Sequence, residues 1–351
     1  MQLTGRQRVL KTLRHEEPDR VPFAFDCSQQ DKVEELRRAF GVVTDEELFQ
    51  AVGSDTRFLM CAEDVCATNR FDMQGRYVDM WGVEREVRGM YPMSTPLSRS
   101  QSIEDLERYV HWPSPECINY AVYVKRADAC GEYAVLGGVW SCFMEVAQAL
   151  LGTEQSMILL LTEPAMMDYL LDRIVGFYLE CNRRMFDAMG GRMQVFFMGD
   201  DYGTQRGLFW SPATWRRFIK PRLKKLYDLA HDRGYPVMQH SCGSVVQVLP
   251  DMIEIGLDVL QPIQVSAAGM DPAALKEQFG DRLAFMGAVD AQRVMAFGSP
   301  DDVREEVRNR IEILAPGGGY ILSTSQGITP EIPVENIRAM LNALKDIGTR
   351  Q

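Results

Sequence analysis

Two residues in the second half of the chain have the types and the spacing of metal ligands. His240 and Cys242 are separated by Ser241 alone, and in extended backbone residues two apart point to the same side. An imidazole nitrogen and a thiolate sulfur are donors that suit zinc. The spacing is thus compatible with a zinc site at His240 and Cys242. The structural alternative is a buried thiol and a histidine that is hydrogen-bonded to the backbone.

A third protein ligand must come from another part of the chain, and carboxylates are the available donors. Asp200 and Asp201 follow a strongly apolar run, and Glu145 follows another. Carboxylates at the edge of a buried element cost free energy unless something uses them. Each also has a structural alternative. The aspartates could cap a helix or pair with Arg206, and Glu145 could open the helix 146–151, where a first-turn carboxylate interacts favourably with the dipole.

The elements that must position these residues follow a repeating pattern. Short apolar runs alternate with helix-periodic stretches, which is typical of parallel α/β folds. Several runs are continuously apolar, as expected for strands buried on both faces. We count eight predicted strands, which favours a closed (β/α)8 TIM barrel: 22–26, 57–61, 134–138, 194–198, 236–239, 258–261, 283–286 and 320–323. In such barrels the active site lies at the carboxyl ends of the strands.

Further polar residues stand at the predicted carboxyl ends of the strands. They are Asp26, Cys27, Glu63, Asp64, Trp140, Tyr202, Asp290, Ser325 and Gln326. For the carboxylates among them, helix capping is the alternative to a functional role. We predict that residues 1–351 form a single domain, in which Phe71 to Tyr133 is an insertion between the second and third strands. We expect this insertion to cover one end of the barrel as a lid or an extra subdomain.

Composition excludes several classes of partner. With 38 basic and 49 acidic residues, the formal net charge of −11 repels nucleic acids and anionic lipid surfaces. The N-terminus predicts a helix capped by Thr4, with Gln7 three residues on, rather than a signal peptide. The longest uncharged run, 133–144, is shorter than the roughly 20 residues of a membrane helix. We expect a cytoplasmic protein with eight reduced cysteines, and the oligomeric state is not predicted.

Several segments together resemble the uroporphyrinogen decarboxylase superfamily. They are the helix around Arg6 to Leu10 followed by Pro18 to Pro22, the stretch Asp200 to Pro212, the run Pro236 to Gly243, Gly256 to Pro262, Phe285 to Asp290, and Gly327 to Pro333. The resemblance extends over essentially the whole chain and implies the TIM barrel independently of the strand count. It also implies one of two chemistries. These are metal-free decarboxylation of uroporphyrinogen and zinc-dependent methyl transfer between a corrinoid protein and a thiol such as coenzyme M.

The residues that would hold uroporphyrinogen differ from the decarboxylase pattern. Decarboxylases carry an Arg-Gln-Ala-Gly-Arg segment near the N-terminus, where this chain reads Asp26-Cys27-Ser28-Gln29-Gln30. Without the arginines, a polycarboxylate tetrapyrrole would be held poorly. Glu145 stands where decarboxylases have a tyrosine. The resemblance therefore implies that uroporphyrinogen is not the substrate.

The methyltransferase branch resembles this chain more closely, with one departure. Its His-x-Cys zinc motif is matched by His240 and Cys242, but its third ligand, a cysteine, corresponds here to Gln326. Decarboxylases have a histidine at that position. An amide is a poor zinc ligand, so Glu145 or Asp200 would have to complete the site.

The predicted function is methyl transfer between a corrinoid, carried by a partner protein, and a small thiol. The predicted residues are Glu145, Asp200 and Gln326 for catalysis, Asp201 and Tyr202 for cofactor binding, and His240 and Cys242 for zinc. One alternative is a decarboxylase, a lyase acting on a smaller carboxylated substrate, with Asp200 and Glu145 as acid and base. Another is a barrel that binds a corrinoid or its partner protein without chemistry.

Overall fold

A curled sheet of seven parallel strands forms the centre of the protein. The computed structural model describes residues 2–61, 70–71, 76–86 and 92–348. The strands lie side by side in the order in which the chain reaches them. They are β1 (Thr56–Cys61), β5 (Ala134–Val139), β6 (Val195–Gly199), β7 (Val237–His240), β8 (Val259–Ile263), β9 (Ala284–Val289) and β10 (Tyr320–Thr324). A small antiparallel sheet consists of β2 (Arg70–Phe71), β3 (Arg76–Val78) and β4 (Glu84–Glu86).

Helices connect the strands and cover the sheet. They are α1 (Gly5–Leu13), α2 (Gln30–Phe40), α3 (Asp45–Ala51), α4 (Ile103–Glu107), α5 (Tyr120–Asp128), α6 (Phe143–Leu151), α7 (Thr153–Thr162), α8 (Pro164–Met189), α9 (Pro212–Phe218), α10 (Lys220–His231), α11 (Leu249–Glu254), α12 (Pro272–Phe279), α13 (Val294–Phe297), α14 (Pro300–Leu314) and α15 (Val334–Gly348). Among the described residues, no helix combines the length and the apolar character that crossing a membrane requires.

The alternation of strand residues produces an inner and an outer core. The inner core contains residues such as Leu136, Met238 and Met286, and Val9 of α1 joins it. Strand neighbours of opposite orientation, such as Val135, belong to the outer core between the sheet and the helices. Because both faces are covered, the strands are continuously buried, which confirms the parallel, doubly covered arrangement that the sequence predicts.

The first of the eight predicted strands, 22–26, does not form as a strand. Phe23 makes an isolated parallel bridge to Leu322 of β10. On its other side, the carboxylate of Asp55 accepts the N–H of Phe23 at 2.9 Å, and the Asp55 N–H donates to the Phe23 carbonyl at 2.8 Å. Pro22 has no N–H to donate. Side-chain acceptors thus replace part of the ladder, and the segment links both edges of the seven-stranded sheet in a barrel-like arrangement.

Ion pairs hold the same segment in place at the amino end of the sheet. The Arg8 guanidinium contacts both Asp19, at 2.7 Å, and Asp55, at 2.5 Å, and Arg20 donates to Asp55 at 2.8 Å. Thr4 accepts the Gln7 N–H in a capping box, as the sequence predicts, and so holds the start of α1. The amino end of the sheet is therefore closed by packing and ion pairs, which leaves the carboxyl end for a functional site.

The described part of the segment between β1 and β5 contacts α8. Trp81 is fully buried against Phe177 and Tyr178 of α8, with ring centroids 5.1 and 5.7 Å away. Asp79 organises the turn before β4 by accepting the N–H groups of Trp81 and Val83. The role of residues 71–133 as a lid remains a prediction.

Candidate metal centre

Three adjacent strands bring the candidate ligands to one edge of the sheet. Gly199 at the end of β6 pairs with His240 at the end of β7, and His240 pairs with Gln261 in β8. Asp201 stands two residues after Gly199, and Cys242 stands two residues after His240. Because the carboxyl ends of parallel strands meet at one edge of the sheet, the side chains of Asp201, His240, Cys242 and Gln261 lie close together. The segments that carry them are distant in sequence.

Asp201, His240 and Cys242 form a compact group of donors. The His240 Nε2 atom lies 3.5 Å from the Cys242 sulfur and 3.4 Å from an Asp201 carboxylate oxygen. All three donor atoms fall within 4.8 Å of one another. A nitrogen, a sulfur and an oxygen donor match the donor set of a zinc site with three protein ligands, in which a fourth position is taken by water or substrate. The residues therefore fit the metal that the sequence predicts.

Gln261 orients the imidazole of His240. Its side-chain oxygen lies 2.6 Å from Nδ1, so Nδ1 carries the proton and donates it. When the imidazole is neutral, Nε2, which faces Asp201 and Cys242, is therefore the nitrogen that keeps a lone pair. Histidine ligands in metal sites are commonly held by an acceptor on the second ring nitrogen in this way. Sequence analysis did not single out Gln261 for this role, although its position at the end of the strand after His240 was available.

Two glycines allow the loops after β6 and β7 to touch. Gly243 has φ +78°, and a Cβ there would lie 2.4 Å from the carbonyl carbon of Gly203. The close approach is held by the Ser244 N–H, which donates to the Thr204 carbonyl at 2.8 Å. The Cys242 N–H donates to Asp201 Oδ1 at 2.8 Å. Asp201 and Cys242 are therefore held next to each other by backbone geometry.

The electrostatics of the group couple its members. Burial disfavours a charged imidazole, but hydrogen bonds and charge interactions with Asp201 and Cys242 outweigh it and raise the pKa of His240 well above its usual value. Burial also acts to raise the pKa of Asp201, yet the hydrogen bond from His240 and its charge lower it overall. Asp201 is therefore ionised and lies next to the protonated imidazole of His240. A metal ion would displace that imidazole proton.

Asp200 lies away from this group, in contrast to the predicted catalytic role. It is buried, and its carboxylate accepts the N–H groups of Met144 at 2.6 Å and Glu145 at 3.1 Å. These are free donors in the first turn of α6, where Cys142 provides no side-chain cap. Asp200 therefore caps α6, which corresponds to the structural alternative.

Glu145 and Tyr202 lie outside the group of three donors, and their roles in catalysis and cofactor binding stay predictions. Glu145 stands in the first turn of α6, outside the group of three donors. Desolvation raises its pKa, Arg85 opposes that shift, and Asp201 adds to it. Tyr202 is fully buried, with its ring 6.1 Å from that of Trp215. It supports the site from behind, because its N–H donates to the hydroxyl of Ser241 at 2.9 Å.

Gln326 lies outside the donor group as well. Its side-chain oxygen accepts from Gln292 at 3.4 Å, and Gln292 in turn accepts from Ser266 at 2.9 Å. Gln326 is thus part of a polar chain along the rim, and Asp201 supplies the third donor instead. Asp290 accepts the N–H groups of Gln292 and Arg293 in the manner of a cap. Glu63 and Asp64 lie outside the described residues.

A cavity of about 350 Å³ opens beside His240. It is lined by Phe25, Asp26, Cys27, Ser28, Phe49, Phe58, Met60, Trp140, Phe197, His240 and Gln261. Trp140 reaches over His240, with ring centroids 5.7 Å apart. A Cβ on Gly199 would collide with the Trp140 ring at 2.1 Å, so glycine is required there. The cavity has the size of a small-molecule site and places a substrate next to the donor group.

Comparison with known proteins defines the class to which this barrel belongs. Residues 86–347 match the family model described as uroporphyrinogen decarboxylase (URO-D). The chain is a member of the uroporphyrinogen decarboxylase family. This result confirms the resemblance seen in the sequence.

Curated relatives within the family carry two different activities. A methylcobamide:CoM methyltransferase MtaA from Methanosarcina barkeri is 31% identical over 133 residues, which is 38% of this chain and 36% of the relative. A uroporphyrinogen decarboxylase from Thermus thermophilus is 28% identical over 141 residues, 39% of this chain and 38% of the relative. The chain thus spans less than two-fifths of either relative in these matches.

A solved structure extends the similarity to the whole fold. A methyltransferase from Methanosarcina mazei superposes with a TM-score of 0.71 at 21% identity, over 98% of this chain and 99% of the other. At this identity the likeness shows the shared barrel-like architecture.

Proposed function

We propose that this protein is a zinc-dependent methyltransferase-like enzyme that moves a methyl group between a corrinoid and a small thiol. The convergence of Asp201, His240 and Cys242 beside the cavity carries the proposal. The similarity to a methylcobamide:CoM methyltransferase supports it. The corrinoid would be presented by a partner protein, as the family resemblance implies.

The donor residues would hold the metal as a nearly neutral centre. The thiolate of Cys242 and the carboxylate of Asp201 balance the double charge of a zinc ion, and His240 binds through the nitrogen that Gln261 leaves unprotonated. When bound, zinc lowers the pKa of a thiol ligand and so makes the thiol nucleophilic at neutral pH. Asp201, which also accepts the Cys242 N–H, keeps the two loops in register.

The overall reaction balances without a further reactant. The cobalt–carbon bond of the methylated corrinoid breaks, its electron pair stays on cobalt, a carbon–sulfur bond forms and the thiol releases its proton. The role of this chain is to position the thiol in the cavity beside His240 and to exclude water by the aromatic wall that includes Trp140 and Phe197.

A lyase reaction is the second candidate, and one observation favours it. Burial raises the pKa of Asp26 in the cavity, and desolvation raises that of Glu145, which lies close enough to Asp201 and His240 to feel their charges. Protonated carboxyl groups of this kind can serve as general acids for a decarboxylation. Asp26 and Glu145 would then be the acid and base, because Asp200 is occupied with the cap of α6.

Metal analysis of the purified protein tests the proposal. Under reducing conditions the parent is expected to retain close to one zinc per chain, and His240→Ala is expected to lose it. His111→Ala changes an exposed histidine outside the donor group and is the control. Transfer from methylcobalamin to a small thiol should depend on the metal. Absence of metal from the parent, or decarboxylation that persists with a chelator, would favour the lyase.

A further inference from the structure

The carboxylate of Asp26 stands in the cavity without a partner. It lies on the wall with His240, and the described residues offer it neither a hydrogen bond nor an ion pair. Its backbone carbonyl accepts the Ile328 N–H at 2.8 Å, which fixes the residue in place. A largely enclosed carboxylate of this kind is costly unless a counter-charge is supplied. The missing counter-charge points to the ligand.

Aromatic rings surround the space in front of Asp26. Phe25 and Phe49 form an edge-to-face pair with centroids 5.8 Å apart on one side. Phe58, Phe197 and Trp140 form a second cluster, with Phe197 5.5 Å from Phe58 and 5.4 Å from Trp140. The faces of aromatic rings attract cations, and sites for substituted ammonium groups are commonly built from several such rings.

The described lining of the cavity offers no positive side chain of its own besides His240. None of its lining residues is lysine or arginine. Arg85, which lies close enough to influence Glu145, is paired with Asp79 at 2.7 Å. The negative charges of Cys242 and Asp201 would balance a divalent ion at the metal centre. The negative charge of Asp26 would then have no counter-charge. An anionic ligand would meet this charge with no lysine or arginine in the described lining to offset it.

We infer that the cavity selects a small substrate that carries a positively charged amino group, held by Asp26 and the aromatic rings. For the proposed methyl transfer, the acceptor would be a small aminothiol rather than a thiol with a sulfonate or carboxylate group. The thiol part of this inference rests on the proposed function, whereas the preference for a cation rests on the cavity alone. A volume of about 350 Å³ is sufficient for such a molecule.

A series of thiols that differ only in charge tests the inference. Binding of cysteamine, 2-mercaptoethanol and 2-mercaptoethanesulfonate to the zinc-loaded protein is measured by calorimetry. We expect cysteamine to bind at least about tenfold more tightly than the sulfonate, which corresponds to about 1.4 kcal/mol, because Asp26 attracts the ammonium and repels the sulfonate. Asp26→Asn should abolish this preference while leaving zinc content and mercaptoethanol binding unchanged.

Matched variants separate charge from folding. Asp26→Glu keeps the negative charge and should retain the preference for cysteamine. Asp281→Asn makes the same chemical change at an exposed position and should behave as the parent. Equal affinities for the amine and the sulfonate in the parent, or an unchanged preference in Asp26→Asn, would overturn the inference even if zinc and methyl transfer were found.

The inference can be tested even if the proposed function fails. Should the protein hold no zinc, binding of tetramethylammonium and methanesulfonate is compared in the His240→Gln variant, which has no imidazolium in the cavity. Binding of the ammonium that is lost in Asp26→Asn would support cation selection, although the methyltransferase proposal had failed. Binding of neither ion, or binding that does not depend on Asp26, would overturn it.

Discussion

The Nδ1 atom of His240 lies 2.6 Å from the side-chain oxygen of Gln261. This contact joins the ends of two adjacent strands and decides which imidazole nitrogen faces Asp201 and Cys242. We predict that Gln261→Met, which keeps the length of the side chain and removes the acceptor, weakens zinc binding about 10- to 100-fold. Gln261→Glu keeps an acceptor and should bind zinc as tightly as the parent. Competition with a chromophoric chelator measures both, and equal affinities for Met and Glu variants would contradict the orienting role.

Cys242→Ser is expected to abolish zinc binding and leave the fold intact. The thiol is half-buried at a strand end, where its side chain contributes little to the core, and a serine hydroxyl is a much weaker zinc ligand than a thiolate. Cys27→Ser is the matched control, because the Cys27 thiol only donates to the Ile328 carbonyl at 3.5 Å and a hydroxyl can do the same. Metal content and circular dichroism are measured together. Full zinc occupancy in Cys242→Ser would remove Cys242 from the ligand set.

The raised pKa of His240 predicts opposite pH dependences without and with metal. In the metal-free protein, protonated His240 is stabilised by Asp201 and Cys242. Since its folded pKa lies above the unfolded value of about 6.5, this stabilisation is complete below that pH and is lost as pH rises through the folded pKa.

The melting temperature of the metal-free protein should therefore fall as pH is raised above about 6.5, and His240→Gln should show a smaller fall. Zinc must displace the His240 proton, so zinc affinity should increase over the same range. Thermal melts of metal-free protein and zinc titrations at several pH values provide the measurements. Identical melting profiles for the parent and His240→Gln would show that His240 does not titrate in this way.

The capping role of Asp200 predicts a loss of stability that depends on the acceptor. Asp200→Ala leaves the buried N–H groups of Met144 and Glu145 without a partner and should lower the free energy of unfolding by about 1–3 kcal/mol. Asp200→Asn keeps one oxygen acceptor and removes a carboxyl group whose pKa burial raises well above its usual value. It should therefore lose less free energy of unfolding than Asp200→Ala. Urea denaturation distinguishes the two. Equal loss in both variants would indicate that the carboxylate has another structural role.

Sequence reasoning located the edge of the sheet that carries the site and assigned Asp200 to catalysis and Asp201 to cofactor binding, but it had no signal for which of the two faces His240. Neighbouring residues at the end of a strand point in different directions. Asp200 therefore faces the start of α6, and Asp201 faces His240. Which neighbour faces which element depends on how α6 is placed against β6. That placement is a tertiary fact with no signal in the order of the two residues.

The failure to predict the state of residues 22–26 has a related cause. Their apolar character indicated a strand, and they do lie between the two edges of the sheet. The acceptors that replace part of the ladder are Asp55 and Ser54, which come next to residues 22–26 only after folding. Asp26 was noted in the sequence only as one of several carboxylates at strand ends. Its importance came from the rings around it, which are contributed by several distant segments.

The link between Phe23 and Leu322 has a consequence for the order in which the molecule is made. Asp201, His240, Cys242 and Gln261 all leave the ribosome well before β10, whereas Asp26 is fixed by contacts with the loop after that strand. Cys27 and Ile328, which meet there, are 301 positions apart along the chain. A chain still being synthesised can therefore bring its metal donors together before the cavity wall that carries Asp26 is complete. The proposed selectivity for a ligand would then depend on the loop after β10 joining the segment that carries Asp26.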